Sequence, residues 1–92
     1  MGETRAVHVL ISGRVQGVGF RAWTVHRADA LGIFGWVRNT EEGDVEVLFS
    51  GAAEAVEKML ALCKEGPRGA RVERVEVLGP AGEVSGAFVI RY

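Results

Sequence analysis

The chain opens with a segment in which apolar positions alternate with more polar ones. Such alternation places successive side chains on opposite faces of a strand, so residues 5–12 are predicted to form a strand with one buried face. The two sets are Val7, Val9 and Ile11, expected toward the core, and His8, Leu10 and Ser12, expected on the other side.

Two later segments follow helical spacing. Residues 21–31 end before Gly32, a typical residue just after a helix, and their expected inner face carries Ala22, Val25, Ala28 and Leu31. Residues 52–64 have the clearest apolar stripe, formed by Ala52, Val56, Met59, Leu60 and Cys63. Gly51 and Glu54 are the expected cap of this second helix.

The remaining segments predict strands joined by turns. Residues 33–39 and 45–49 read as strands around a turn at 40–43, and further strands are expected around Val75 and Val77 and over 88–92. The order βαββαβ plus a C-terminal strand resembles the ferredoxin-like fold, an α+β sandwich with two helices on one face of an antiparallel-rich sheet. The open face is expected to carry His8, Leu10, Ser12, Glu46, Leu48 and Ser50.

The composition is that of an ordinary globular protein. The 92 residues are 48% hydrophobic and 25% charged, which predicts a single domain over 1–92 and neither a disordered nor a membrane-spanning chain. A formal net charge of −1 argues against a nucleic-acid partner. One cysteine, Cys63, and the lack of an apolar leader predict a cytoplasmic protein. We also expect a monomer.

The segment from Gly13 to Arg21, which reads GRVQGVGFR, is the most informative in the chain. Its three glycines tolerate positive φ, so that successive backbone N–H groups can converge on one point between the first strand and the first helix. The first turn of that helix adds unpaired N–H groups and a positive dipole end. Arg21 lies in this turn and can bind two oxygens of a phosphate. The segment therefore predicts a site for a small anion.

Asn39 ends the predicted second strand, and the topology brings that strand end close to the glycine-rich loop. An asparagine cannot take up a proton at neutral pH, but it can orient a water. Such a site suits an activated substrate, for which positioning supplies most of the acceleration. A phosphoanhydride of a carboxylic acid fits, because its carboxylate leaves readily and its phosphate oxygens can accept the proton of the water.

These segments resemble the two signatures of the acylphosphatases, the second being Gly35-Trp36-Val37-Arg38-Asn39 followed by Gly43, Val45 and Gly51. The resemblance covers essentially the whole chain. It implies hydrolysis of acyl phosphates to a carboxylate and phosphate without metal or cofactor, and with it we expect inhibition by inorganic phosphate or sulfate. It also implies that Arg21 binds the phosphate and Asn39 orients the water, with Thr40 in support and a backbone cradle made of Val15, Gln16, Gly17, Val18 and Gly19.

Other chemically capable residues have plainer interpretations. His8 and His26 are expected to be structural, and Cys63 is expected to be a buried, unreactive thiol. The acidic residues at 41, 42 and 44 fall in a turn and are not predicted to bind metal. Trp23 and Trp36 are expected to pack, and the residues considered for bordering the acyl group are Phe20 and Trp36.

Two functions of other classes are alternatives. A non-catalytic anion-sensing or regulatory domain can have the same fold, although the presence of both Arg21 and Asn39 argues against it. RNA-recognition modules share the element order and use the open sheet face. That face is expected to lack stacking aromatics here, because it shows Leu10 and Leu48 beside His8 and Glu46.

Overall fold

A computed structural model describes residues 2–92, and its elements follow the predicted order. They are β1 (Thr4–Arg14), α1 (Phe20–Ala30), β2 (Phe34–Asn39), β3 (Val45–Ala52), α2 (Ala53–Glu65), β4 (Arg71–Pro80) and β5 (Phe88–Ile90). The strands form one sheet in the order β4-β1-β3-β2-β5, in which β2 and β5 are parallel and all other neighbours antiparallel. This is the predicted ferredoxin-like α+β fold.

Both helices pack on the sheet face that carries the valine side of β1. Val7, Val9 and Ile11 are buried there, as predicted, and α2 contributes Val56, Met59 and Cys63 to the same core. The predicted stripe of α2 is therefore largely confirmed, although its first member, Ala52, precedes the helix and is exposed. Among residues 2–92, no helix combines the length and the apolarity needed to cross a bilayer.

The inner face of α1 differs in part from the prediction: Ala28 is buried and Val25 and Leu31 pack against the core, as expected, but Ala22 does not. The helix begins at Phe20, and its buried residues are Phe20, Thr24 and Ala28, each four positions apart. The Thr24 hydroxyl donates to the Phe20 carbonyl oxygen at 2.8 Å, so this polar side chain enters the core without an unpaired group. Ala22 is exposed instead of inward-facing, because its position is two residues off this stripe.

The start of α2 also corrects the sequence reading. The N-cap residue is Ala52, and neither Gly51 nor Glu54 supplies a side-chain capping hydrogen bond. The Ala53 N–H donates instead to the Glu3 carbonyl oxygen at 2.8 Å. A backbone N–H group of the first helical turn thus finds its acceptor in the residue just before β1. The sequence around α2 does not indicate this contact.

The open sheet face departs from expectation in two respects. Ser50 is buried, because the loop after β4 covers this end of the face and the Val84 N–H donates to Ser50 Oγ at 3.1 Å. The face also carries aromatic side chains, since Phe34 and Trp36 alternate along β2 with the buried Gly35 and Val37. The expectation that this face lacks aromatics is wrong.

Candidate active site

The glycine-rich loop joins β1 to α1 at the end of the sheet where β2 terminates. Gly17 has φ 75° and Gly19 has φ 80°, whereas no non-glycine residue in the described range 2–92 has positive φ. Negative and positive φ values thus alternate along residues 16–19, a pattern that turns successive N–H groups toward one point. Gly19 is also the N-cap of α1, so the loop and the first helical turn face the same space.

A cavity of about 160 Å³ lies in front of this loop. Its lining combines the predicted anion-binding elements with apolar residues: Val15, Gly17, Gly19, Phe20, Arg21, Ala22, Asn39, Ile90 and Tyr92. The cavity therefore joins the two signature segments, as the topology predicted. Asn39 reaches it because β2 ends opposite Val45, the first residue of β3, at the end of the sheet where β1 runs into the loop.

Arg21 is the one charged side chain among the described residues that line the cavity. It is half-buried, and its guanidinium carbon lies 5.3 Å from the centre of the Tyr92 ring, a cation–π distance. Within residues 2–92 no carboxylate forms an ion pair with Arg21. Its positive charge is therefore available to an anion in the cavity.

The turn after Asn39 is closed by several short-range hydrogen bonds. The Thr40 N–H donates to the Asp44 carbonyl oxygen at 2.9 Å, and the Asp44 N–H donates to Thr40 Oγ1 at 3.1 Å. Thr40 therefore supports the turn that follows Asn39 and does not line the cavity. The Thr40 hydroxyl forms its hydrogen bond within this turn, to the residue four positions later.

Other residues named from the sequence are placed differently. Gln16 and Val18 belong to the loop but do not line the cavity, and the Gln16 side chain is hydrogen-bonded to the turn at 40–44. Of the two residues considered for the acyl group, Phe20 lines the cavity. Trp36 does not, because it lies on the open sheet face, where its ring centre is 6.0 Å from that of His8.

The sequence reasoning missed Ile90 and Tyr92 as lining residues. Ile90 lies at the cavity because β5 pairs in parallel with β2, which places Ile90 opposite Val37. Tyr92 lies beyond the end of β5 and is almost fully exposed, in contrast to the strand position expected for it. Alternation along 88–92 signalled a strand, but no local pattern indicated that its end borders the cavity.

Two titratable groups with shifted pKa values, Glu46 and Cys63, do not line the cavity. On the open face Glu46 pairs with both His8 and Arg38. Burial raises the pKa of the Glu46 carboxyl, but hydrogen bonds and charges from His8 and Arg38 outweigh burial and hold the pKa below its usual value. Burial raises the pKa of the Cys63 thiol to about 12, in agreement with the predicted inert thiol. Residues 2–92 contain no cluster of three or more metal-ligating side chains.

The ferredoxin-like fold places a glycine-rich turn and a single arginine at one small cavity, an arrangement suited to a small anion. Comparison with known proteins identifies the family. The acylphosphatase family model matches residues 7–89. An acylphosphatase of Roseiflexus is 49% identical over an alignment of 92 positions, which covers 98% of this chain and 99% of that protein. One from Nitrobacter hamburgensis is 57% identical over 68 residues, or 74% of this chain and 69% of that protein.

A solved structure supports the same assignment. The acylphosphatase from Coxiella burnetii superimposes with a TM-score of 0.90 at 34% sequence identity, covering 96% of this chain and 93% of that one. This chain belongs to the acylphosphatase family. Its activity is the hydrolysis of acyl phosphates.

Proposed function

We propose that the cavity at the glycine-rich loop is the catalytic site, with Arg21 and Asn39 in different roles. The observation that carries this proposal is that one cavity is lined by Val15, Gly17 and Gly19 of the loop together with Arg21 and Asn39. The loop and Arg21 bind the phosphate, and Asn39 orients the attacking water. The loop contributes backbone rather than side chains to phosphate binding: Val15, Gly17 and Gly19 line the cavity, and Gln16 and Val18 connect them in the same stretch of backbone.

The phosphate end of the substrate is bound where positive potential is concentrated. The backbone N–H groups of the loop and the guanidinium of Arg21 approach the three terminal oxygens, whose charge is redistributed as the bond to the leaving group breaks. These donors are held in place before the reaction, so little reorganisation is needed in the transition state. Arg21 can donate two parallel hydrogen bonds, which a lysine cannot do.

The water is held by an amide rather than deprotonated by a base. Asn39 Oδ1 accepts a hydrogen bond from the water and directs its oxygen toward phosphorus, opposite the acyl oxygen. A P–O bond forms to the water as the P–O bond to the acyl oxygen breaks. The carboxylate leaves as a weakly basic anion that needs no proton, and the proton of the water passes to a phosphate oxygen. The products are a carboxylate and inorganic phosphate.

Apolar residues of the same cavity receive the acyl group. Ala22 and Ile90 line it beside the loop, and Tyr92 borders it at the surface, whereas the Phe20 side chain is buried in the core. Because this part of the lining offers only apolar surface and one phenol, it can accept acyl groups of various shapes without specific hydrogen bonds. A simple aromatic acyl phosphate such as benzoyl phosphate is therefore a suitable test substrate.

Steady-state hydrolysis of benzoyl phosphate and calorimetric titration with inorganic phosphate separate the two roles. We expect Arg21→Ala to weaken phosphate binding and to lower kcat together, with little recovery in Arg21→Lys. Asn39→Ala is expected to lower kcat by about a hundredfold or more while phosphate affinity stays near that of the wild type. Arg27→Ala is the matched control, because Arg27 is exposed near the other end of α1.

Two outcomes would contradict these roles. The first is an Asn39→Ala protein with normal kcat, and the second is one that loses phosphate binding as completely as Arg21→Ala does. Because phosphate binds in the substrate's place, inhibition by phosphate or sulfate is expected to be competitive, and purely noncompetitive inhibition would place the anion elsewhere. We further propose metal-independent hydrolysis, which activity lost to a chelator and restored by a divalent ion would refute.

We also propose that residues 1–92 act as one cytoplasmic domain and as a monomer. The buried side chains that the structure describes form one continuous core, and the Cys63 thiol within that core is free. Light scattering coupled to size-exclusion chromatography tests the monomer, for which the expected mass is 9.9 kDa. A mass near twice that value would contradict it.

A further inference from the structure

Gln16 links the two segments on which the proposed function depends. Its backbone belongs to the glycine-rich loop, whereas its side chain reaches the turn between β2 and β3. Gln16 Nε2 donates to the carbonyl oxygens of Thr40 and Asp44, each at 2.8 Å. These acceptors lie 24 and 28 residues further along the chain, so the hydrogen bonds connect distant segments.

The turn does not need Gln16 in order to close. The Thr40 carbonyl oxygen also accepts from the Gly43 N–H at 3.2 Å, and the Asp44 carbonyl oxygen accepts from the Thr40 N–H at 2.9 Å. Each carbonyl oxygen has two lone pairs and can accept Gln16 beside its backbone donor. The Thr40 hydroxyl also lies 3.4 Å from the Asp44 carbonyl oxygen, a longer contact. The loop likewise has its own backbone conformation, set by Gly17 and Gly19. What Gln16 determines is therefore the position of the turn relative to the loop.

We propose that the Gln16 side chain is a positioning residue for hydrolysis, because it holds the turn that follows Asn39 against the phosphate-binding loop. This inference rests on the proposed roles of Arg21 and Asn39. Asn39 directly precedes Thr40, so a shift of the Thr40 carbonyl group moves Asn39 with it. The two hydrogen bonds of Gln16 set the distance between the bound phosphate and the oriented water.

The side chain has the length and chemistry that this link requires. One amide nitrogen carries two hydrogens and can therefore donate to two carbonyl oxygens at once. A glutamate at this position presents only acceptors to two carbonyl oxygens, and a methionine has the length but no donor. An asparagine keeps the amide but is one methylene shorter, so it does not span the gap from the same backbone position.

Gln16→Met tests the proposal with the same two measurements, benzoyl phosphate hydrolysis and calorimetric titration with inorganic phosphate. We expect kcat to fall about ten- to a hundredfold, as for a small misplacement of reacting groups. The Kd for phosphate is expected to stay within about threefold, because the loop backbone and Arg21 are unchanged. Should Gln16→Met fail to fold, Gln16→Asn carries the same test.

Ser50→Ala is the matched control for a lost side-chain to backbone hydrogen bond. Ser50 Oγ accepts from the Val84 N–H at 3.1 Å near the start of β2, at the end of the sheet remote from Asn39. Its removal loosens a long-range contact without touching the site. We expect Ser50→Ala to keep kcat within about twofold of the wild type, even if its free energy of unfolding falls as much as that of Gln16→Met.

A double-mutant cycle with Asn39→Ala separates positioning from other roles. If Gln16 acts through Asn39, then Gln16→Met lowers kcat by no more than about twofold in the Asn39→Ala background. If Gln16→Met lowers kcat by the same factor in the wild-type and Asn39→Ala backgrounds, this inference alone is overturned. A phosphate Kd that rises in Gln16→Met as much as kcat falls would overturn it as well. An Asn39→Ala protein with wild-type kcat would instead refute the proposed function, and this inference with it.

Discussion

Replacing Gly35 with alanine tests whether this glycine of the second signature is required by backbone contact between strands. Gly35 has φ 139° and lies opposite Phe49 in the β2–β3 ladder. A Cβ atom at this position would overlap the Leu48 carbonyl oxygen and lie 2.9 Å from the Leu48 carbonyl carbon. Both neighbours are backbone atoms of β3, so neither can move without disturbing the sheet.

The cost of Gly35→Ala follows from two contributions. A side chain at this φ costs about 1–3 kcal/mol. Carbon–oxygen contacts begin at about 3.3 Å, so β2 must move away from β3 by more than about 1 Å. Weakening two ladder hydrogen bonds adds about 2 kcal/mol. The expected loss in the free energy of unfolding is about 3–5 kcal/mol, a large part of the stability of a small domain.

Gly43→Ala is the control in the same hairpin. Gly43 also has positive φ, 95°, but an added Cβ meets no atom within 4 Å, so only the backbone strain of about 1–2 kcal/mol remains. In urea unfolding followed by tryptophan fluorescence, with a slope of about 1.5 kcal/mol/M, the midpoint should fall by about 2–3 M for Gly35→Ala and about 1 M for Gly43→Ala. Equal midpoints for the two variants would refute the argument from backbone contact.

Two further predictions concern groups outside the cavity. Burial raises the pKa of the Cys63 thiol to about 12, so at pH 8 it should react with a thiol reagent only as fast as the protein unfolds. Labelling at the rate of a free peptide thiol would contradict this. Cys63→Ala should keep most of kcat. The pKa of Glu46 is lowered in the folded state, so its contribution to stability is present above its usual value of 4.5 and is lost as pH falls through the folded-state pKa. The difference in unfolding free energy between wild type and Glu46→Gln should therefore shrink below about pH 4.5, and a difference that stays constant with pH would count against the pairing with His8 and Arg38.

The strands, the second helix and the positive-φ conformation of the glycine-rich loop could be predicted from the sequence because each depends on residues close together in the chain. Alternation in β1 specifies which side chains share a face, and Val7, Val9 and Ile11 are buried accordingly. The glycines of the loop indicate positive φ because other residues adopt it only with strain. The same alternation applied to β2 predicts that Trp36 shares a face with Phe34 and not with Val37, as the structure shows.

Contacts between distant segments were decided only by the tertiary structure. Ser50 has the polar character and strand position of an exposed residue, yet the loop after β4 covers it. Tyr92 reaches the rim of the cavity because β5 pairs beside β2, and Gln16 finds its two acceptors in a turn that follows a whole helix and a strand. Local patterns record the preferences of each segment, whereas these placements depend on which segments the folded sheet brings together.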